Sequence, residues 1–296
     1  MKKLFIVFLL IFLVHTGNAQ DRKFHIFLCF GQSNMEGAAR IEPQDTVNIS
    51  ERFRMMAAVD DASRGRVKGQ WYKAIPPLCR EKTGLTPVDY FGRTLLEVLP
   101  EDHTVGVINV SIGGCRIEAF MKDKIGEYAK TAPEWMIPML KAYDNDPYKW
   151  LVELAAKAQK DGVISGILIH QGESNIGEED WPLKIRSVYE NLLKDLNLKA
   201  EDVPLIAGEV VNADRGGRSA SMNLIIDKLP ETIPTAHVVS SSCCTQFFDQ
   251  IHFDAAGYRD IGRRYAAVML PLMGYKAPVS RMYNLPVESP VIHRFG

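Results

Sequence analysis

Residues 24–37 read FHIFLCFGQSNMEG, an apolar run followed at once by a polar segment between two glycines. The run at 24–30 is typical of a buried strand, and the polar segment marks the strand's end. Similar short apolar runs recur at 105–110, 163–169, 203–208 and 236–240, with helix-like stretches between them. Strands that alternate with helices predict an α/β fold, a three-layer α/β/α sandwich around a five-stranded parallel sheet.

Helix signals stand between these runs. Thr86-Pro87-Val88-Asp89 combines a capping hydroxyl, a proline at the first helical position and an acid three residues on, which predicts a helix over about 87–98. Apolar residues spaced by three and four predict further helices at 148–160, 181–196 and, behind an Asp254 cap, 255–269. Residues 36–85 are long for one connection, so we expect this segment to carry function or to cover a site.

The N-terminus has the pattern of a secretory signal peptide. Lys2 and Lys3 precede an apolar run at 4–14 and small residues at 16–19. The run is shorter than the ~20 residues that a membrane-spanning helix needs, so we rank an uncleaved anchor below export. The predicted organisation is a signal peptide at 1–19, one domain at 20–275 and an irregular tail at 276–296, in a secreted or periplasmic protein.

Composition and charge exclude several classes of protein. The chain has 296 residues, 46% hydrophobic and 24% charged, which is ordinary for a globular protein. Lys and Arg number 35 against 36 Asp and Glu, so no positive excess is present to bind nucleic acid or an anionic membrane surface. The odd cysteine count leaves at least one thiol free or paired between chains, and the sequence does not settle the pairing or the oligomeric state. The cysteines are Cys29, Cys79, Cys115, Cys243 and Cys244.

Polar residues follow four of the predicted strands, where a parallel sheet binds its ligands. Ser33 comes after the first strand, and Asp249 and His252 come after the last. A serine hydroxyl becomes a strong nucleophile when a histidine takes its proton and a carboxylate orients that histidine. We therefore predict Ser33 as nucleophile, His252 as general base and Asp249 as the acid that orients it.

Acyl transfer through such a serine needs hydrogen-bond donors for the oxyanion that forms. The candidates are the backbone amides of Ser33, Gly113 and Gly114 and the side chain of Gln171. The histidines show no zinc-like spacing, and neither a phosphate loop nor a dinucleotide-binding glycine pattern is present. The sequence thus predicts acyl transfer to water without a metal or other cofactor.

The four strand-end segments resemble the sequence blocks of the SGNH (GDSL-like) hydrolase superfamily. Within it they are most similar to the acetyl xylan esterases of carbohydrate esterase family six and to the sialate O-acetylesterase group. The segments are Gly31-Gln32-Ser33-Asn34-Met35, Gly113-Gly114, His170-Gln171-Gly172-Glu173-Ser174 and Asp249-Gln250-Ile251-His252. The resemblance spans about 24–269 and implies a flavodoxin-like fold and removal of O-acetyl groups from sugars without a metal. We expect Gln32, Asn34 and Asn175 to bind substrate.

Several positions have more than one interpretation. Most of the superfamily has an Asn donor where this chain has Gln171, and related esterases often have Ser or Thr where it has Cys115. Glu173 follows another strand end and could orient His252 in place of Asp249. Of the two acids, we favour Asp249 slightly. Arg116 and Glu118 are expected to form a solvated pair or to contact the edge of the substrate.

The sequence favours a secreted serine esterase that removes O-acetyl groups from carbohydrate, in the manner of an acetyl xylan esterase. A sialate O-acetylesterase is the first alternative, and a lipid or thioester hydrolase is another within the same fold. A non-catalytic carbohydrate-binding protein would have kept the fold without the reaction. A glycosidase would use Glu173 and Asp249 as a carboxylate pair roughly 5 to 10 Å apart. The expected partner is an acetylated carbohydrate.

Overall fold

A computed structural model describes residues 20–277, which form a seven-stranded sheet between layers of helices. The strand order is β3-β2-β4-β1-β5-β6-β7, and all neighbours are parallel except the antiparallel pair β2 and β3. The strands are β1 Asp21–Gly31, β2 Phe53–Met56, β3 Trp71–Lys73, β4 Thr104–Ser111, β5 Gly162–His170, β6 Leu205–Gly208 and β7 Ala236–Val239. The predicted α/β class and three-layer arrangement are confirmed.

The predicted number of five strands is wrong, although all five predicted strands are present. The two additional strands, β2 and β3, come from the long segment at 36–85 and extend one edge of the sheet. Each is three or four residues long, and β2 has Arg54 between its buried apolar residues. β2 becomes a strand through pairing with β4, where Phe53 lies opposite Val105, and β3 through pairing with β2. Neither segment has a strand pattern of its own.

The described residues form nine α-helices, and the four that were predicted lie close to their predicted positions. Their bounds are α1 Ser33–Glu36, α2 Pro87–Val98, α3 Ile125–Thr131, α4 Ile137–Lys141, α5 Pro147–Ala158, α6 Trp181–Asp195, α7 Asn223–Ile226, α8 Leu229–Thr232 and α9 Ala255–Leu272. The four predicted helices correspond to α2, α5, α6 and α9, and α9 continues a little past its predicted end. None of the helices in the described part of the chain is long and apolar enough to cross a membrane.

Capping explains where α2 and α9 begin. The hydroxyl of Thr86 accepts a hydrogen bond from the amide of Val88 at 2.9 Å, and the Asp89 carboxylate accepts one from the amide of Thr86 at 2.9 Å. The carboxylate of Asp254 accepts from the amide of Gly257 at 2.8 Å. These side chains satisfy amides that have no partner within the helix, as their sequence spacing predicted.

The central strand β1 is buried on both faces, and each face belongs to a separate core. Ile26, Leu28 and Phe30 pack in one core with residues of α5 and α6. Phe27 and Cys29 point the other way and pack in a second core with residues of α2 and α9. Because side chains alternate along a strand, this single segment joins both helical layers and fixes the position of the residues that follow it.

Two predictions concern the two ends of the chain and the cysteines. The predicted signal peptide and nearly all of the predicted tail lie outside residues 20–277. The five cysteines lie within that range and carry free thiols. Four of the thiols are buried, and Cys243 is exposed.

Candidate active site

Three central strands end at the same level and bring their following loops together. Gly31 at the end of β1 lies opposite Ser111 of β4 on one side and His170 of β5 on the other. A Cβ on Gly31 would lie 2.1 Å from the carbonyl oxygen of His170, so the close approach of the strands requires glycine here. The amide of Gln32 then donates to that carbonyl at 3.1 Å, which sets the start of α1.

Ser33, His252 and Asp249 form a continuous hydrogen-bonded chain. His252 Nε2 lies 2.7 Å from Ser33 Oγ, and His252 Nδ1 lies 2.7 Å from Asp249 Oδ2. The other oxygen of Asp249 accepts hydrogen bonds from the amides of Ile251 and His252, at 2.9 and 3.1 Å. Partial burial alone would raise the pKa of Asp249, but these hydrogen bonds outweigh it and hold the pKa below its usual value. Asp249 is therefore an anion at neutral pH.

Glu173 lies near these residues but does not bond to the histidine. Its Oε1 accepts a hydrogen bond from Asn34 Nδ2 at 2.5 Å. Its Oε2 is buried and has no hydrogen-bond partner within residues 20–277. Burial raises the pKa of this carboxyl group, against the smaller effects of its hydrogen bonds and of His252. Of the two acids that the sequence left open, the one in contact with His252 is Asp249.

Asn34 connects the serine to the loop that carries the histidine. Its side chain is fully buried, and its Nδ2 donates a hydrogen bond to the carbonyl of Ile251 at 2.9 Å. Its Oδ1 accepts from the amide of Phe253 at 3.3 Å and from the hydroxyl of Tyr258 at 2.8 Å. Asn34 thus holds the peptide groups on both sides of His252. This placement differs from the expected one, since a fully buried side chain is not open to substrate.

We expect Asn34→Ala to lower kcat by about tenfold to a hundredfold with a smaller change in KM, because it would misplace His252, the predicted base, and a misplaced base costs rate more than binding. The variant also leaves buried polar groups without partners, at about 1–3 kcal/mol each, so the thermal midpoint should fall. Steady-state kinetics on a small acetyl ester and a thermal melt check both effects. Wild-type kcat in a folded Asn34→Ala protein would show that the link does not position His252.

Gln32, Gln171 and Asn175 form a buried network below the candidate site. Gln171 Nε2 donates to Asn175 Oδ1 at 2.6 Å and to Gln32 Oε1 at 3.2 Å, and its Oε1 accepts from the indole of Trp181 at 2.5 Å. Gln32 Oε1 also faces the amide of Ser174 at 3.3 Å. All three amide side chains are almost completely buried. The structure therefore does not place them at the expected oxyanion and substrate positions, and they shape the loop after β5 instead.

The backbone amides expected to bind the oxyanion fall into two groups. The amide of Gly113 donates to Glu36 Oε1 at 2.9 Å and is therefore engaged. The amides of Ser33 and Gly114 make no hydrogen bond to any residue between 20 and 277. Gly114 has φ +67°, a left-handed conformation that favours glycine. Of the candidate donors, these two amides are the ones left open to an incoming ligand.

Glu36 and Arg80 support the site, and neither was predicted from the sequence. Arg80 forms a largely buried ion pair with Glu36, and its guanidinium donates to the carbonyl of Ser111 at 2.5 Å and to the hydroxyl of Tyr143 at 3.0 Å. The pair connects α1 to the Gly113 loop. Glu36 lies in the quoted strand-end segment and could have been found there. Arg80 lies in the long segment at 36–85, where no motif marks it.

Charged side chains border the site beyond the Gly114 loop. Arg116 contacts Glu118, with 3.4 Å between Nε and Oε2, and pairs with Glu178. Lys184 Nζ lies 2.8 Å from Glu118 and 2.6 Å from Glu178. Burial would raise the pKa of Glu118, but Lys184, Asn175 and Arg116 lower it to about 2. The pair expected from the sequence is therefore part of a larger network, and Arg116 stays partly exposed within it.

His170 is the last residue of β5, and its side chain is fully buried. Its Nδ1 lies 3.2 Å from the hydroxyl of Tyr265, and that hydroxyl donates to the carbonyl of Ile169 at 2.6 Å. Burial lowers the pKa of His170 to about 3, so the imidazole is neutral at neutral pH. His170 is therefore part of the packing below the site.

A family model described as "SASA: Carbohydrate esterase, sialic acid-specific acetylesterase" matches residues 23–271. This range includes every residue of the hydrogen-bonded chain and the glycine loop. It therefore covers the whole candidate site and nearly all of the part of the chain that the structure describes.

Solved structures with the same fold include three that superpose well. A protein from Arabidopsis thaliana has a TM-score of 0.60 at 18% identity, over 83% of this chain and 98% of its own. NanS has a TM-score of 0.61 at 15% identity, over 86% and 99%. A carbohydrate acetylesterase from Xanthomonas citri has a TM-score of 0.55 at 18% identity, over 81% of this chain but 55% of its own length. At these identities the comparison shows a shared fold.

Proposed function

Since the chain belongs to the family of carbohydrate esterases described as sialic acid-specific acetylesterases, and is thus a carbohydrate O-acetylesterase, we propose that it acts through an acyl-enzyme formed on Ser33. The observation that carries this mechanism is the chain of two 2.7 Å contacts from Ser33 through His252 to Asp249. A serine, its base and the acid that orients the base stand within hydrogen-bond reach of one another, as nucleophilic catalysis requires.

The proposed reaction proceeds in two steps. His252 Nε2 takes the proton of Ser33 Oγ while that oxygen attacks the acetyl carbonyl carbon, and the amides of Ser33 and Gly114 donate to the oxyanion. The imidazolium, stabilised by the Asp249 carboxylate, then gives its proton to the departing sugar oxygen. Water, activated by the same histidine, attacks the acetyl-serine and releases acetate. Apart from the substrate and water, this route uses only side chains and backbone amides of the chain.

The geometry favours this reaction over the other reactions considered. A glycosidase needs two carboxylates free to flank the scissile bond, but Asp249 is bonded to His252 and Glu173 is bonded to Asn34. A non-catalytic carbohydrate-binding protein would not need Ser33 held at 2.7 Å from an oriented imidazole. Two substrates remain candidates: acetylated xylan, which the sequence blocks favour, and O-acetylated sialic acid, which the family description names.

We propose further that residues 20–275 are one esterase domain in a secreted or periplasmic protein. The lysines, apolar run and small residues at 1–19 support export, and they precede the first strand directly. The nearly balanced charge supports a carbohydrate substrate rather than nucleic acid or a membrane surface.

The test is acetate release by the purified protein without residues 1–19. The substrates are acetylated xylan, O-acetylated sialic acid and a medium-chain lipid ester, each with and without a serine-directed organophosphate. We expect acetate from at least one sugar substrate and loss of that activity with the inhibitor. Hydrolysis of the lipid ester alone, or acetate release that resists the inhibitor, would contradict the proposal.

A further inference from the structure

Trp135 has an unusual environment for a tryptophan. It lies between α3 and α4, and 59% of its surface is exposed. The other tryptophans are buried or partly buried, and each donates its indole N–H to a protein acceptor: Asp161 for Trp71, Ala58 for Trp150 and Gln171 for Trp181. The N–H of Trp135 finds no acceptor within residues 20–277. Its large ring and its donor are therefore both open to a ligand.

The ring of Trp135 lies directly on the glycine loop of the candidate active site. A Cβ on Gly114 would lie 2.6 Å from Cη2, 3.3 Å from Cζ3 and 3.6 Å from Cζ2 of the indole. The outer edge of the six-membered ring thus contacts the residue whose amide is a candidate oxyanion donor. A molecule attached to an acetyl group bound at that amide would extend from the site beside this ring.

The chain around Trp135 is anchored to the same loop. The next residue, Met136, is buried, and its sulfur lies 3.5 Å from the hydroxyl of Tyr128. That hydroxyl in turn accepts a hydrogen bond from the amide of Arg116 at 3.0 Å. An isolated hydrophobic side chain on a protein surface lacks contacts of this kind. We therefore interpret Trp135 as an exposed ring that is held in place at the edge of the site.

We propose that Trp135 is the sugar-binding platform of the enzyme, and that it stacks against the pyranose ring that carries the scissile acetyl group. The inference rests on the proposed function. A pyranose presents C–H groups on its faces, which pack on an indole, and hydroxyls at its edge, which can accept the indole N–H. The partly exposed Arg116 stands at the same edge as a further donor.

The kinetic test compares a sugar ester with an ester that has no sugar. We measure kcat/KM of the wild type, Trp135→Ala and Trp135→Phe for mono-O-acetylated methyl xyloside, mono-O-acetylated sialic acid and methyl acetate. We divide kcat/KM for each sugar ester by kcat/KM for methyl acetate. For the sugar ester that the wild type hydrolyses, this ratio should fall about fivefold to tenfold in Trp135→Ala. It should fall less in Trp135→Phe, which keeps an aromatic ring. Leu272→Ala, at the far end of the sheet, is the matched control and should leave the ratio unchanged. An unchanged ratio in Trp135→Ala would overturn the platform.

A binding measurement separates failure of this inference from failure of the proposed function. Calorimetric titration of Ser33→Ala with each acetylated sugar, and again with Trp135→Ala added, reads affinity without turnover. Weaker binding in the double variant supports the platform even if the wild type releases no acetate from sugars. Equal affinity in the two proteins, or no binding to either, would overturn it.

Discussion

Ser33→Ala should lower kcat for an acetyl ester by about four orders of magnitude or more, because in the proposed mechanism the nucleophile, its base and the orienting acid act as one unit. Without the Ser33 hydroxyl, His252 has no proton to take and no acyl-enzyme forms. The remaining activity would come from the amides of Ser33 and Gly114, which can still stabilise an oxyanion formed by attack of water. Steady-state and burst kinetics with a small acetyl ester measure both the rate and the loss of the acyl-enzyme.

The fold should survive this substitution, since alanine is tolerated at the start of a helix and no core contact is removed. The thermal midpoint of Ser33→Ala should therefore stay near that of the wild type. Ser63→Ala, which removes an exposed hydroxyl bonded to Asp61, is the matched control and should keep full activity. Turnover of Ser33→Ala at more than about a hundredth of the wild-type rate would rule out the serine mechanism.

Asp249→Asn should lower kcat by about 10⁴-fold, the effect known for the equivalent change in a serine protease triad. The amide would present a different hydrogen-bonding group to His252 Nδ1, which disturbs the tautomer that leaves Nε2 free to accept the Ser33 proton. The imidazolium formed during the reaction would also lose its neighbouring negative charge. The loop should stay in place, because the side-chain oxygen of the new asparagine can still accept hydrogen bonds from the backbone amides of Ile251 and His252.

Glu173→Gln is the matched comparison, since it makes the same chemical change in the second acid. We expect it to lower kcat by no more than about tenfold, because Glu173 contacts Asn34 rather than His252. Parallel kcat measurements on both variants, with circular dichroism to verify folding, decide between the two acids. A larger loss in Glu173→Gln than in Asp249→Asn would assign the orienting role to Glu173.

The sequence predicts the strands, helices and residue spacing around the site well, because each of these signals is local. An apolar run ending in Gly31, the Asp249-to-His252 spacing and the helix caps at Thr86 and Asp254 each depend on neighbouring residues. The observed elements and contacts follow them closely. The strand-end rule then brings distant segments to one edge of the sheet without further information.

The hydrogen-bond partners of the side-chain and backbone amides could not be predicted in the same way. Gln171 donates within a buried network because Trp181 and Asn175 surround it, and Gly113 is engaged because Glu36 reaches it. These partners come from other loops, and no spacing in the sequence shows which side chain will meet which amide. The short strands β2 and β3 escaped prediction for the same reason, since their conformation depends on pairing with distant residues.

The central place of β1 in the sheet has a consequence for how the enzyme loses activity on heating. Because β1 is paired on both edges and packed on both faces, we expect its amide hydrogens to exchange mainly through global unfolding. Ser33 follows β1 directly, and Asn34 joins the His252 loop to the same segment through hydrogen bonds, so we expect the site to stay assembled until β1 itself unfolds. Thermal inactivation should therefore coincide with global unfolding instead of preceding it through local fraying.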